Sequence, residues 1–364
     1  MGKKLYTVIV GTGSYIPPKV IHNDYFLDAE FYDPATGKKF ETPNAEIIRK
    51  FNEITNIEER RYAEPDQATS HLGTFAAEDA LHSSGFDREK LEFIIAAHNF
   101  GDIYPGTYRS DMCPAIANRI KLGLGIKNTN VLTHDVTAGC PGWTTAMIVA
   151  DAYIKSGMFK CGLVIGSDLN SRVSDPYDRD RMIFSDGSGA VIVEAVESET
   201  PVGILSQASR SDNDPGMLKM GVSLNPDYHG SEINIRMAGH KVYAYALSAV
   251  PSVVKESLDK AGLHLTDIKK VLIHQANEKM DEAILHRVFK LYGIKEFNPE
   301  VMPMTIRTLG NSSTATVPTL LDLILKNKME DHAIEPGDHI ILTSVGAGMV
   351  VNSLVYRFPE DRVF

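Results

Sequence analysis

Three residues of this chain combine a reactive side chain with a place where an element starts or ends. Cys140 lies in "THDVTAGCPGWTTAM" (Thr133–Met147), after a small-residue bend and before Pro141 and Gly142. Pro141 fits the first position of a helix, Gly157 fits its stop, and the residues between are apolar almost all round. Cys140 is therefore expected at the N-terminus of a buried helix. There the macrodipole and the unpaired N–H groups favour a thiolate and lower its pKa. His274 ends the apolar run of "KKVLIHQANEKM", at the strand edge where α/β sheets bind ligands. Asn311 sits in a Gly-Asn turn before another apolar helix, in "TLGNSSTATVPTLLDLIL". Each has a plain structural alternative: an inert buried thiol, a core histidine, a turn or cap. Together they suit nucleophilic catalysis, in which a thiolate attacks a carbonyl and neutral donors hold the developing charge. Cys113 and Cys161 lack the helix start and read as small, inert buried residues.

These groups need a scaffold, and the hydrophobic pattern supplies one. Apolar runs rich in Val and Ile predict strands at "LYTVIVG", "LEFIIAAH" (91–98), "CGLVIGS" (161–167), "AVIVEAV" (190–196), "KKVLIH" (269–274), "HIILTSV" (339–345) and "VNSLVYRF" (351–358). Helical stretches such as "SHLGTFAAEDALHSSG" and "VPSVVKESLDKAG" separate many of them, which makes the fold α/β. The chain also repeats itself. "AAEDALHSSGFDREKLEFIIAAH" aligns without gaps on "VVKESLDKAGLHLTDIKKVLIHQ" when Gly85 is set on Gly262, and "GLVIGSDLNS" has a partner in "HIILTSVGAG". A duplicated fold follows, with halves of residues 1–200 and 201–364 and a boundary near "ESETPVGILS". The Cys140 and Asn311 helix starts are then counterparts that meet near a pseudo-twofold axis.

Bulk properties narrow the class. The 364 residues are 43% hydrophobic, enough for a large core, and the formal charge of -10 argues against general nucleic-acid binding. Three cysteines without CxxC spacing read as free thiols of a reducing compartment. The N-terminal apolar run is too short for a signal sequence, and no stretch approaches the ~18 apolar residues of a membrane span. A cytoplasmic protein is expected. "VGTGSY" lacks the third glycine of a dinucleotide loop, and "FSDGSGA" reads as a tight turn between strands. The twelve histidines show no metal-ligand spacing, so no metal or redox cofactor is implied.

"GCPGWTTAM", "HQAN" and "GNSSTATVP", in that order, resemble the Cys, His and Asn motifs of the β-ketoacyl-[acyl-carrier-protein] synthase III family. "VIVGTGSYIPPKVIHN", "GSDLNSRVSDPYDRDRMIFSDGSGA" and "MAGHKVY" extend the resemblance over nearly the whole chain. It implies the five-layered αβαβα thiolase-like fold, normally a homodimer. It also implies that Cys140 is acylated by an acyl-CoA or acyl-carrier primer, with no further cofactor. His274 and Asn311 then serve a malonyl thioester on an acidic acyl-carrier protein. Backbone N–H groups of Cys140 and Ala347 form the second oxyanion site; the family usually has Gly at the Ala347 position. For CoA and carrier the resemblance points to Arg172 and Lys279. Lys50 stands where the family has an adenine-stacking Trp. Ala244 stands at a basic position, which leaves Lys241 or Arg236 to supply the charge. Cys113 replaces an aromatic that caps a short acetyl pocket across the dimer, with Tyr104 or Met112 as alternatives. Longer or branched primers are then expected, in fatty-acid initiation or in a specialised lipid, polyketide or pigment pathway. A thiolase would need a second Cys, which "LTSVGAGMVV" lacks. A hydroxymethylglutaryl-CoA synthase would need an acidic base that the sequence does not identify. A non-catalytic partner subunit would normally have lost the nucleophile.

Overall fold

Each predicted apolar run is a strand in the computed structural model, which describes residues 3–105, 109–214 and 216–360. The first half holds β1 (Lys4–Tyr15), the short pair β2 (Lys19–His22) and β3 (Glu59–Tyr62), then β4 (Phe93–Ala97), β5 (Leu132–Val136), β6 (Cys161–Leu169) and β7 (Asp186–Ser198). The second holds β8 (Gly203–Ser211), the short pair β9 (Leu218–Gly221) and β10 (Asn234–Met237), then β11 (Ile268–Ile273), β12 (His339–Gly346) and β13 (Val350–Arg357). The helices are α1 (Asn44–Thr55), α2 (Thr69–Ser84), α3 (Ile116–Gly123), α4 (Gly142–Lys155), α5 (Gly239–Ala261), α6 (Glu278–Leu291), the single turn α7 (Ile306–Leu309) and α8 (Thr316–Leu325).

The two main sheets repeat one plan. The first has strand order β1-β7-β6-β4-β5, and the second, read from its other edge, β8-β13-β12-β11. In both, the first three strands alternate in direction and the next is parallel to its neighbour. The first sheet adds β5, again parallel. The repeat extends to the helix ends. α2 and α5 both stop at a glycine in the left-handed region, Gly85 (φ 65°) and Gly262 (φ 70°), where a side chain would be strained.

Burial explains the layering. α4 and α8 lie between the sheets: Trp143, Met147, Leu320 and Ile324 pack with Ile9, Phe93 and Val191 of one sheet and Leu342, Leu354 and Tyr356 of the other. α2 and α3 cover the outer face of the first sheet, and α5 and α6 that of the second. The order helix, sheet, helix, sheet, helix is the five-layered thiolase-like fold. The central helices are apolar all round because both their sides face a sheet.

One local expectation is overturned. "FSDGSGA" is no turn between strands; Asp186 begins β7, and the glycines run along it. A Cβ on Gly189 would lie 2.6 Å from Thr319 N and 2.8 Å from Pro318, so the bare backbone lets α8 settle on the strand. The run looks like a turn because close helix packing and turns call for the same residue.

Candidate active site

Cys140 stands two residues before α4, as its sequence context predicts. The turn is closed by Gly142 N donating to Gly139 O (2.9 Å) and Thr145 N to Pro141 O (2.8 Å). Asn352 of β13 reaches across from the second half and donates to Thr145 Oγ1 (2.8 Å). The last residue of β12 and Ala347 after it press on the cysteine from the same side. A Cβ on Gly346 would meet Pro141 Cδ at 2.6 Å and Cys140 N at 2.9 Å, and one on Gly139 would meet Ala347 N at 3.0 Å. Cys140 and Ala347 are thus brought together with their backbones adjacent.

His274 follows β11 directly, and its N–H donates to Thr343 O of β12 (2.9 Å). The side chain is buried, and Nδ1 has no hydrogen-bond partner among the described residues. Burial lowers the imidazole to about 4, only partly offset by the Ser313 main chain, so the ring is neutral. The rest of "HQAN" is structural. Gln275 donates to Pro303 O (2.8 Å) and accepts from Thr305 N (2.8 Å), tying His274 to the segment that leads to Asn311. Asn277 caps α6 by accepting Met280 N–H (2.8 Å).

Asn311 is held by its main chain, donating to Ile183 O (3.0 Å) and accepting from Ser185 N (2.8 Å). Its Oδ1 accepts Ser313 N–H at 2.8 Å. Ser313 is where the three groups meet. Its main chain touches His274, its N–H touches Asn311, and its hydroxyl donates to Cys140 Sγ at 3.3 Å.

The expected low thiol pKa is reversed in this resting site. Burial pushes the Cys140 thiol up to about 11, and Asp168 adds to the rise. The Ser313 hydroxyl and a backbone N–H pull the other way but do not prevail. Lost hydration of the thiolate outweighs the helix start, which the sequence alone makes visible.

The outer residues divide. Lys279 is exposed at the start of α6, its ammonium donating to Glu53 O at the end of α1. Lys50 is exposed on α1, 2.7 Å from Glu46. Lys241 is exposed on the first turn of α5. Arg236 cannot supply a free docking charge: its side chain is 13% exposed and pairs with Asp175 and Asp178. Arg172 does not stand free either. It donates to the carbonyls of Ile103 (2.5 Å), Glu64 (2.8 Å) and Pro65 (3.2 Å), bracing two loops. Tyr104, Met112 and Cys113 are exposed on the segment after β4 and do not fill a pocket within their own chain. Cys113 is therefore not the buried thiol that its sequence context suggests, whereas Cys161 is buried. Ser313 and Asp168 act on the thiol, Asn99 bonds both of them, and no spacing in the sequence singles the three out. No helix among the described residues is long and apolar enough to cross a membrane.

Comparison with known proteins agrees with this geometry. Residues 134–213 match the model of 3-oxoacyl-[acyl-carrier-protein (ACP)] synthase III, and residues 258–358 that of its C-terminal part. β-Ketoacyl-[acyl-carrier-protein] synthase III 1 of Vibrio vulnificus is 33% identical over 97% of this chain and 100% of its own. The Pectobacterium atrosepticum synthase III is 34% identical, also over 97% and 100%. Among solved structures, 3-oxoacyl-(acyl carrier protein) synthase III of Pseudomonas aeruginosa has a TM-score of 0.79 at 26% identity, covering 99% of both chains. That of Aquifex aeolicus has a TM-score of 0.76 at 28% identity, covering 97% of this chain and 100% of its own. The chain therefore belongs to the β-ketoacyl-[acyl-carrier-protein] synthase III family, the acyl-transferring enzymes that carry out the initiating condensation of fatty-acid biosynthesis.

Proposed function

We propose that Cys140 takes the acyl group of a thioester primer and that His274 and Asn311 hold the malonyl partner on its carrier. The observation that carries this is the meeting of all three groups at Ser313. The division near residue 200 gives each half a share: Cys140 from residues 1–200, His274 and Asn311 from residues 201–364.

In the first step the sulfur attacks the primer carbonyl. A C–S bond forms at Cys140, the bond to the leaving sulfur breaks, and the proton lost by the thiol ends on the leaving thiol. In the second, the malonyl thioester loses carbon dioxide and leaves an enolate. A neutral imidazole and a carboxamide NH2 suit that charge, because neutral donors do not stabilise the departing carboxylate as a cation would. The carbanion attacks the acyl carbonyl, the new C–C bond forms, and the Cys140 sulfur leaves. The backbone N–H groups of Cys140 and Ala347 stabilise the oxyanion of that attack. The product is a 3-oxoacyl-[acyl-carrier-protein], and no cofactor beyond the two thioesters is used.

The acidic carrier docks on Lys279 and Lys241, cations that remain exposed at the starts of α6 and α5, while Lys50, exposed on α1, meets a CoA phosphate. A second copy of the chain completes the acyl pocket with Tyr104, Met112 and Cys113, whose exposure in one chain supports a role across a homodimer. The free thiols suit the reducing cytoplasm. Incubation with an acyl thioester followed by mass spectrometry tests the core of the proposal. One adduct on Cys140, absent from Cys140→Ala, is expected; an adduct on Cys113 or Cys161 instead overturns it.

A further inference from the structure

We infer that Ser313 is a catalytic hydroxyl that donates to the nucleophile Cys140, aimed by Asn99 as a positioning residue that buried Asp168 holds in place. This rests on Cys140 being the nucleophile.

The direction of the chain follows from donor and acceptor chemistry. Asp168, at the end of β6, is 1% exposed. Four donors converge on its two oxygens: Asn99 N (2.8 Å), Asn99 Nδ2 (2.7 Å), Thr314 N (3.1 Å) and Thr314 Oγ1 (2.8 Å). A carboxylate with four donors accepts only, so the Asn99 atom facing it is the amide nitrogen. That nitrogen has a second hydrogen, and it points to Ser313 Oγ at 2.7 Å. Ser313 Oγ accepts there, so its own proton is left for Cys140 Sγ, 3.3 Å away.

The backbone supports the same reading. Ser313 has φ 57°, in the left-handed region that a residue with a side chain rarely enters. Asn311 Oδ1 holds the Ser313 N–H in that conformation. A structural turn would be served better by glycine. Serine at this angle places a hydroxyl against the sulfur.

The consequence is electrostatic. Of the titratable groups, Asp168 from β6 acts on the thiol itself, His274 after β11 shares Ser313 with it, and His98 after β4 acts on Asp168 and is paired with Asp135 at 3.1 Å. His274 is neutral, and Asp168 opposes a thiolate. Ser313 is the side chain whose hydrogen bond favours the thiolate. It acts in the acylation step, when the sulfur must carry charge, and the Asn99 amide, by donating to Ser313 Oγ, leaves the hydroxyl proton for the sulfur.

Alkylation of Cys140 by iodoacetamide, followed by mass across a pH series, tests this without needing any acyl substrate. Ser313→Gly is the main variant, since glycine accepts the backbone angle and removes the hydroxyl together with its Cβ; Asn99→Ala is the second. The alkylation midpoint is expected to rise by about one pH unit in Ser313→Gly, with acyl transfer from acyl-CoA near neutral pH slowed about tenfold. Asn99→Ala is expected to shift the midpoint in the same direction. An unchanged midpoint in Ser313→Gly overturns the role of the hydroxyl. A shift in Ser313→Gly without one in Asn99→Ala overturns the aiming by Asn99. Should the parent enzyme alkylate at Cys140 yet form no acyl adduct there, the nucleophile assignment falls instead.

Discussion

Asn311 Oδ1 accepts the Ser313 N–H at 2.8 Å, and this fixes its amide nitrogen as the donor left over. That nitrogen makes no hydrogen bond among the described residues. Asn311→Ala and His274→Ala are therefore expected to form the Cys140 acyl adduct but to condense about 10²–10³-fold more slowly, as loss of an oxyanion donor does. Single-turnover acylation and steady-state condensation, measured separately, check the split. Equal loss in both steps would contradict it.

Gly346 has no room for a side chain. A Cβ there would meet Cys140 Cβ and N at 2.9 Å and Pro141 Cδ at 2.6 Å. Gly346→Ala is expected to push the Ala347 N–H away from the oxyanion position and reduce condensation at least tenfold. Circular dichroism is expected to show the fold intact, because the clash is confined to the last residue of β12 and the Cys140–Pro141 turn. Unimpaired condensation would show that the end of β12 plays no such part.

The pH dependence follows from two shifts with separate causes. Burial holds His274 near 4, so the ring stays neutral through 6.5, the ordinary histidine value. Condensation by the pre-acylated enzyme is expected to show no inflexion near 6.5 and to fall as pH drops toward about 4. There an imidazolium would pair with the malonyl carboxylate and stabilise the group that must leave. Acylation follows Cys140, whose thiol sits at about 11, and is expected to rise with pH across the whole neutral range. An inflexion near 6.5 lost in His274→Ala would contradict the first expectation.

Lys279 is exposed, so its contribution to carrier docking is expected to weaken with salt. Lys279→Glu is expected to raise the KM for malonyl-carrier several-fold at low salt and to change little at high salt. The fold tolerates an acid there, at the positive end of α6. An unchanged KM at low salt would remove Lys279 from the dock.

The primer is the remaining variable. If Cys113 stands in the acyl pocket in place of a bulky aromatic, as proposed, each added buried methylene contributes about 0.8 kcal/mol. Acylation of Cys140 is expected to be faster from isobutyryl, hexanoyl or octanoyl thioesters than from acetyl-CoA. Comparing each on CoA and on carrier protein also identifies the donor. A clear preference for acetyl-CoA would reject the roomy pocket.

Much of this protein is legible in its residues alone. Strands such as β6 and β12 are buried on both faces, so their sequence is a continuous apolar run that only a layered α/β fold can use. Cys140, His274 and Asn311 stand out because a helix start, a strand end and a turn are local features with local signals. The edge strands β5 ("LTHDV") and β8 ("GILSQASRS") escape, since an edge pairs on one side only and keeps polar residues. The Asp168, Asn99 and Ser313 chain escapes for another reason. Its members lie 69 and 214 residues apart along the chain: Asn99 and Asp168 meet as β4 and β6 pair, and Ser313 joins them only when the later part of the chain packs on. The thiol makes the same point. Its helix start is written in the sequence, but its pKa is decided by how much water the assembled fold removes, and only the tertiary structure sets that.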